Sequence, residues 1–185
     1  MIKVANEEIF VAIAAYREPE LRRTIESCVA MADQPGRLRF GVCLQHDRSG
    51  PRETQPDCLV GIEAEVSLLS FDWTESKGGC WARHLAQGLY RGEGFTLQID
   101  SHMRMASGWD SALIDMMRHT EAPKPLITSH LPLYDVVDDR DVIPEPGPVP
   151  VTVFDQITPV GWIWHPGIER AEVLESPRPT RALCG

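Results

Sequence analysis

Ile9-Phe10-Val11-Ala12-Ile13-Ala14-Ala15 is an unbroken apolar run near the start of the chain. A half-exposed strand or an amphipathic helix would interrupt such a run with polar residues; a strand covered on both faces would not. The run is short, includes β-branched residues and stops at the polar cluster Tyr16-Arg17-Glu18. It therefore reads as a buried strand, and a strand buried on both faces needs layers above and below it.

The segments that follow supply those layers. Pro19 fits the first turn of a helix, and Leu21, Ile25, Cys28, Val29 and Ala32 fall on one apolar face at helical spacing. Pro35-Gly36 ends that helix. Phe40 to Leu44 is a second buried strand, closing on Gln45-His46-Asp47, and Arg48 to Asp57 is a polar loop with two prolines. A third strand is expected over Ile62 to Phe71. Gly78-Gly79 then opens a helix whose inner face is Ala82, Leu85, Ala86 and Leu89. Phe95 to Ile99 is a further strand, Trp109, Leu113, Ile114, Met116 and Met117 mark a helix, and Leu126-Ile127-Thr128 reads as a last strand. Strands alternating with helices imply an α/β fold, with a mostly parallel Rossmann-like sheet and helices on both faces. Beyond Leu131, Asp138-Asp139-Arg140-Asp141 and Pro144 to Pro150 form an irregular link. Val151 to Trp164 reads as a short β-rich extension running antiparallel at the sheet edge.

Charge and cysteine usage narrow the partners. The net charge is −9, and Lys and Arg are scattered instead of forming a stripe, which argues against a nucleic-acid partner. No apolar run is long enough for a membrane span, so no membrane partner is expected. The five cysteines are odd in number and include no C-x-x-C pair. Cys28 and Cys43 fall in apolar periodic segments and read as buried, reduced thiols, in keeping with a cytoplasmic protein.

Ligands of open parallel sheets sit at the carboxyl ends of the strands. Tyr16-Arg17-Glu18, Gln45-His46-Asp47 and Asp100-Ser101-His102 occupy those ends and are expected to line one crevice. In an extended strand end, residues i and i+2 point the same way, so Asp100 and His102 are placed to meet one divalent cation. Oxygen plus imidazole suits Mn2+, with Mg2+ as the alternative. A plainer reading has Asp100 capping a turn and His102 solvated. Lys77-Gly78-Gly79 ahead of a helix lets backbone N–H groups approach an anion. Arg83, one turn further on, can pair with phosphate or with an acidic loop. Tyr16 can stack on a base and Arg17 can reach a phosphate or hold its loop; the alternative is a packed Tyr and a solvated Arg. His84, His119, His130 and His165 have no partner at ligand spacing, and no G-x-S-x-G elbow is present.

Four segments in order, IFVAIAAYREPE (9–20), FGVCLQHD (40–47), GGCWARHLAQGLYR (78–91) and FTLQIDSHMRMASGWD (95–110), resemble the polypeptide α-N-acetylglucosaminyltransferases. That family includes the cytoplasmic enzymes that modify hydroxyproline of a ubiquitin-ligase adaptor. The resemblance spans about Ile9 to His130. It implies a GT-A fold, a UDP-sugar donor (UDP-N-acetylglucosamine foremost) and metal-dependent transfer with retention to a hydroxyl acceptor, polypeptide or glycan. By the same resemblance Asp100 and His102 match a D-x-H metal motif, and Asp100 also meets the donor. Tyr16 and Arg17 match a nucleotide-contacting strand end, Asp47 an acidic position near the uracil, and Gly79 with Arg83 the loop and helix that approach the donor. Residues 1–130 are then the donor-binding domain. Residues 131–185, which carry no matching motif, are expected to hold only the start of an acceptor-binding part. The other function considered is a non-catalytic or truncated nucleotide-sugar-binding module; no catalytic base is assigned.

Overall fold

The structure is a computed structural model and describes residues 6–120, 124–128, 134–138, 140–142, 150–152, 156–157, 163–164 and 168–170. The chain divides into two compact units, Met1–His119 and Thr120–Gly185.

The first unit is built on strands β1 (Ile9–Tyr16), β2 (Leu38–His46), β3 (Glu65–Asp72) and β4 (Phe95–Asp100). They form one four-stranded sheet in the order β3-β2-β1-β4, and every pairing is parallel. Helices α1 (Leu21–Met31), α2 (Gly79–Gln87) and α3 (Trp109–His119) connect or follow the strands. The chain moves outward from β1 to β2 and β3, then returns to pair β4 against the other side of β1. The order therefore reverses between β1 and β4, and an α/β sheet opens a ligand crevice at such a reversal.

The apolar run at the start of the chain splits by the period of two of a strand. Ile9, Val11, Ile13 and Ala15 face one core together with Leu21, Ile25 and Cys28 of α1 and Trp109 and Ile114 of α3. Phe10 and Ala12 face a second, smaller core with Cys43 and with Ala82 and Ala86 of α2. Helices thus cover both faces, as the sequence implies. Gly41 lets the second core close: a Cβ there would stand 2.3 Å from the Phe10 ring and 3.0 Å from the Ala86 carbonyl oxygen. Cys28 and Cys43 are buried and free, as is Cys58. Burial pushes the Cys28 thiol up to about 12 and raises Cys43 as well.

Several expected boundaries move. Pro19 lies in the turn before α1, and the helix begins at Leu21. α1 ends at Met31, and Pro35–Arg37 is a separate 3-10 turn. β3 starts at Glu65 instead of Ile62. Residues 125–128 have no regular structure and Leu126 is exposed, so Leu126-Ile127-Thr128 is not a strand.

The second unit contains β5 (Asp135–Val137) and β6 (Arg140–Val142), which pair antiparallel where an irregular link was expected. Asp138, beside this hairpin's first strand, adopts φ 50°, and Arg140 and Asp141 lie in β6. Among the described residues, β7 (Pro150–Thr152) pairs with β10 (Ile168–Arg170), and β8 (Gln156–Ile157) pairs with β9 (Ile163–Trp164). These antiparallel pairs match the expected β-rich extension, but each is a two-stranded ladder of its own and not an addition to the four-stranded sheet. No described helix is long and apolar enough to cross a membrane.

Candidate nucleotide-sugar site

β4 alternates along its length. Phe95, Leu97 and Ile99 pack toward the main core, while Thr96, Gln98 and Asp100 turn outward. The alternation continues past the strand: Ser101 is buried, and Asp100 and His102 have side chains 57% and 58% exposed. The predicted carboxylate–imidazole pair therefore stands in solvent on either side of a buried serine.

The backbone around that pair is fastened to α1. The buried Thr24 hydroxyl donates to the Ser101 carbonyl at 2.9 Å, and its oxygen accepts the Met103 N–H at 2.9 Å. The Met105 N–H donates to the Ser27 hydroxyl at 2.9 Å, and the Gly108 N–H to the Met31 carbonyl at 2.8 Å. The Trp109 indole N–H reaches the Cys28 carbonyl at 2.9 Å. A loop held this often along one helix presents its side chains from a fixed frame.

Each exposed member has one protein partner. Arg83, on α2, contacts Asp100 Oδ1 at 3.1 Å. Glu18 Oε2 lies 3.2 Å from His102 Nδ1. Among the described residues, Asp100 Oδ2 and His102 Nε2 have no protein partner. No three His, Cys, Asp or Glu side chains of the described residues converge as a cation cluster. A two-membered oxygen–nitrogen set with open positions nevertheless fits a hard divalent cation that takes its other ligands from phosphate and water.

The ends of β1 and β2 are organised differently. Arg17 adopts φ 52°, a left-handed conformation uncommon for a side-chain-bearing residue. Its N–H donates to the Gln45 carbonyl at 2.8 Å, its guanidinium pairs with Asp47 at 3.2 Å, and it lies 5.1 Å over the Trp73 ring. Arg17 thus holds its loop. The Ser49 hydroxyl and N–H keep the Asp47 carboxyl below the usual carboxylate range, and Arg17 adds to that effect. Tyr16 is half exposed, so its ring is available to a ligand. Gln45 Oε1 and His46 Nδ1 are buried without a protein hydrogen bond, leaving them to water or a ligand.

At the start of α2 the conformational demand falls on Gly78, with φ 95°, and not on Gly79. A Cβ on Gly79 would meet nothing within 4 Å, so packing imposes no glycine there. Of the other histidines, His119 Nδ1 sits 2.7 Å from the Asp115 carbonyl oxygen one turn back, while His130 and His165 lie outside the described residues. Glu18, Trp73 and Thr24 are the site residues that sequence reasoning missed. Glu18 stood in the quoted strand end without a role, and the other two had no local signal.

Sheet order and all-parallel pairing define an α/β protein with a Rossmann-like sheet. A family model described as Glycosyltransferase (GlcNAc) matches residues 8–61 and 51–181, which together span most of the chain. The chain belongs to this glycosyltransferase family, and its role is in glycosyl transfer. The second match continues well beyond His130, so residues that carried no recognised motif also follow the family pattern. The two matches overlap in the segment of 3-10 turns between β2 and β3. No curated protein and no solved structure matches the chain.

Proposed function

We propose that the carboxyl ends of β1, β2 and β4 bind a UDP-sugar, with Asp100 and His102 holding Mn2+ or Mg2+ against its diphosphate, for retaining transfer of N-acetylglucosamine to a hydroxyl acceptor. The single observation behind this reading is the exposure of Asp100 and His102 around buried Ser101, beside the β1–β4 reversal.

When bound, the cation would supply charge neutralisation as the nucleoside diphosphate leaves. The chain's own residues divide the remaining work. Asp100 offers Oδ2 while Arg83 holds Oδ1; a guanidinium there also faces the phosphates and adds positive potential where negative charge grows. Tyr16 offers a half-exposed ring for the base. Arg17 and Asp47 brace the turn behind it. The first turn of α2, from Gly79 onward, offers its N–H groups to an anion, while the Gly78 N–H is taken by the Ser76 hydroxyl. Residues 1–130 act as the donor domain in this reading, and the β-rich residues 131–185 belong with the acceptor.

The test is UDP affinity by calorimetry with and without Mn2+. Manganese-dependent UDP binding that disappears in Asp100→Asn supports the reading, and unchanged binding in that variant rejects it. Release or transfer of N-acetylglucosamine from UDP-N-acetylglucosamine separates an enzyme from a binding module, which would bind without turnover.

A further inference from the structure

We propose that Glu18 is a positioning residue for His102, fixing the imidazole with its proton on Nδ1 so that Nε2 presents a lone pair to the cation. The inference rests on the metal-site reading above and adds to it a residue outside the D-x-H tripeptide.

The left-handed turn at Arg17 ends β1 and sends the chain across the reversal toward the end of β4. Glu18 is held from both sides. Its Oε1 accepts the Glu20 N–H at 3.0 Å, and its Oε2 faces His102 Nδ1 at 3.2 Å. Its side chain is 20% exposed, against 58% for His102. The more buried and better anchored group therefore orients the freer one. A carboxylate only accepts hydrogen bonds, so in the neutral ring the contact places the proton on Nδ1 and leaves the Nε2 lone pair free. Thr24 already fixes the backbone on both sides of residue 102 through Ser101 and Met103. Rotation and tautomer of the ring are the freedoms left, and the Glu18 contact removes both. A carboxylate on the distal nitrogen of a ligating histidine orients the ring and raises its basicity. Glu18 is not a third ligand, because among the described residues no three such groups converge.

Two readouts test this: Mn2+ affinity by electron paramagnetic resonance with UDP present, and the His102 tautomer from two-bond proton–nitrogen spectra of the metal-free protein. His102→Ala is expected to lose UDP-supported Mn2+ binding. Glu18→Ala should weaken it about 10- to 100-fold and shift the ring proton to Nε2. Glu18→Gln keeps an acceptor oxygen and should retain most of the affinity and the Nδ1–H tautomer. Wild-type affinity and tautomer in Glu18→Ala would overturn the inference while leaving the metal site standing. A loss in Glu18→Ala as complete as in His102→Ala, with the tautomer unchanged, would make Glu18 a ligand and also overturn it. A neutral wild-type ring with its proton on Nε2 overturns it whatever the variants do. Absence of Mn2+ binding by the wild type with UDP would remove the metal-site reading and this inference together.

Discussion

Asp100 and Asp110 stand ten residues apart in one motif, and the fold uses them in opposite ways. Asp110 is completely buried at the start of α3. Its Oδ1 accepts the Asp33 N–H at 2.8 Å. Its Oδ2 accepts the Gln34 N–H at 3.0 Å and two guanidinium donors of Arg37 at 3.0 and 2.8 Å. Asp100 is more than half exposed and has one protein donor, Arg83. A buried carboxylate is tolerated only when its oxygens are satisfied, so Asp110 has nothing left to offer a ligand. Asp100 does. Counting satisfied lone pairs separates a carboxylate that holds the fold from one that can serve chemistry, where residue type and spacing cannot.

Exchanging the two roles is the most direct way to break this contrast. Asp110→Ala takes the buried carboxylate from two N–H groups and from the Arg37 guanidinium, which keeps Ser111 and Glu7, and should destabilise the protein by about 3–5 kcal/mol, measured by urea unfolding. A loss comparable to a surface substitution would mean that the pair is not buried in solution. Asp100→Asn should leave stability within about 0.5 kcal/mol while abolishing manganese-dependent UDP binding. Finding both losses in one variant would erase the distinction.

Smaller effects sharpen it. Thr24→Val removes a buried hydroxyl that serves both Ser101 and Met103, and should cost about 1–3 kcal/mol. Because those bonds frame His102, Mn2+ affinity with UDP should fall as well, although the Thr24 side chain is fully buried. Acid unfolding gives a gentler check. Burial pushes the Asp110 carboxyl up, but hydrogen bonds from Asp33, Arg37, Gln34 and Ser111 outweigh it and hold the folded value below normal. Its stabilisation is thus complete above the unfolded carboxylate value of about 3.9 and fades as pH falls through the lower folded value. Asp110→Asn should flatten that acid limb, read from stability against pH below about 4. The smallest change expected is Arg17→Gly. It relieves a left-handed strain of about 1–2 kcal/mol but loses the Asp47 and Trp73 contacts, so stability should move little while UDP affinity drops.

What could be read from the sequence follows from how local each signal is. The Ile9–Ala15 run declares a strand by itself, and its odd and even residues divide between the two cores as a period of two requires. The exposure of Asp100 and His102 around Ser101 follows from the same alternation. Glu18 could not be matched to His102 by spacing, since they lie 84 residues apart and meet only because β4 pairs with β1. Thr24 carries no local signal, and its partners arrive from beyond β4. The hairpin of β5 and β6 was hidden because three-residue strands on either side of an acidic turn carry too few apolar positions to show a period. Leu126-Ile127-Thr128 erred the other way: apolar, β-branched composition favours a strand, but a strand forms only where a neighbour accepts its hydrogen bonds.

The stapling of residues 101–108 onto α1 has a mechanical corollary. Helix and loop are in effect one casting, so a tilt of α1 would carry the imidazole with it instead of being absorbed in between. Thr24 and Ser27 are therefore components of the instrument as surely as the side chains that project from it, and changing either would detune a grip that neither one touches.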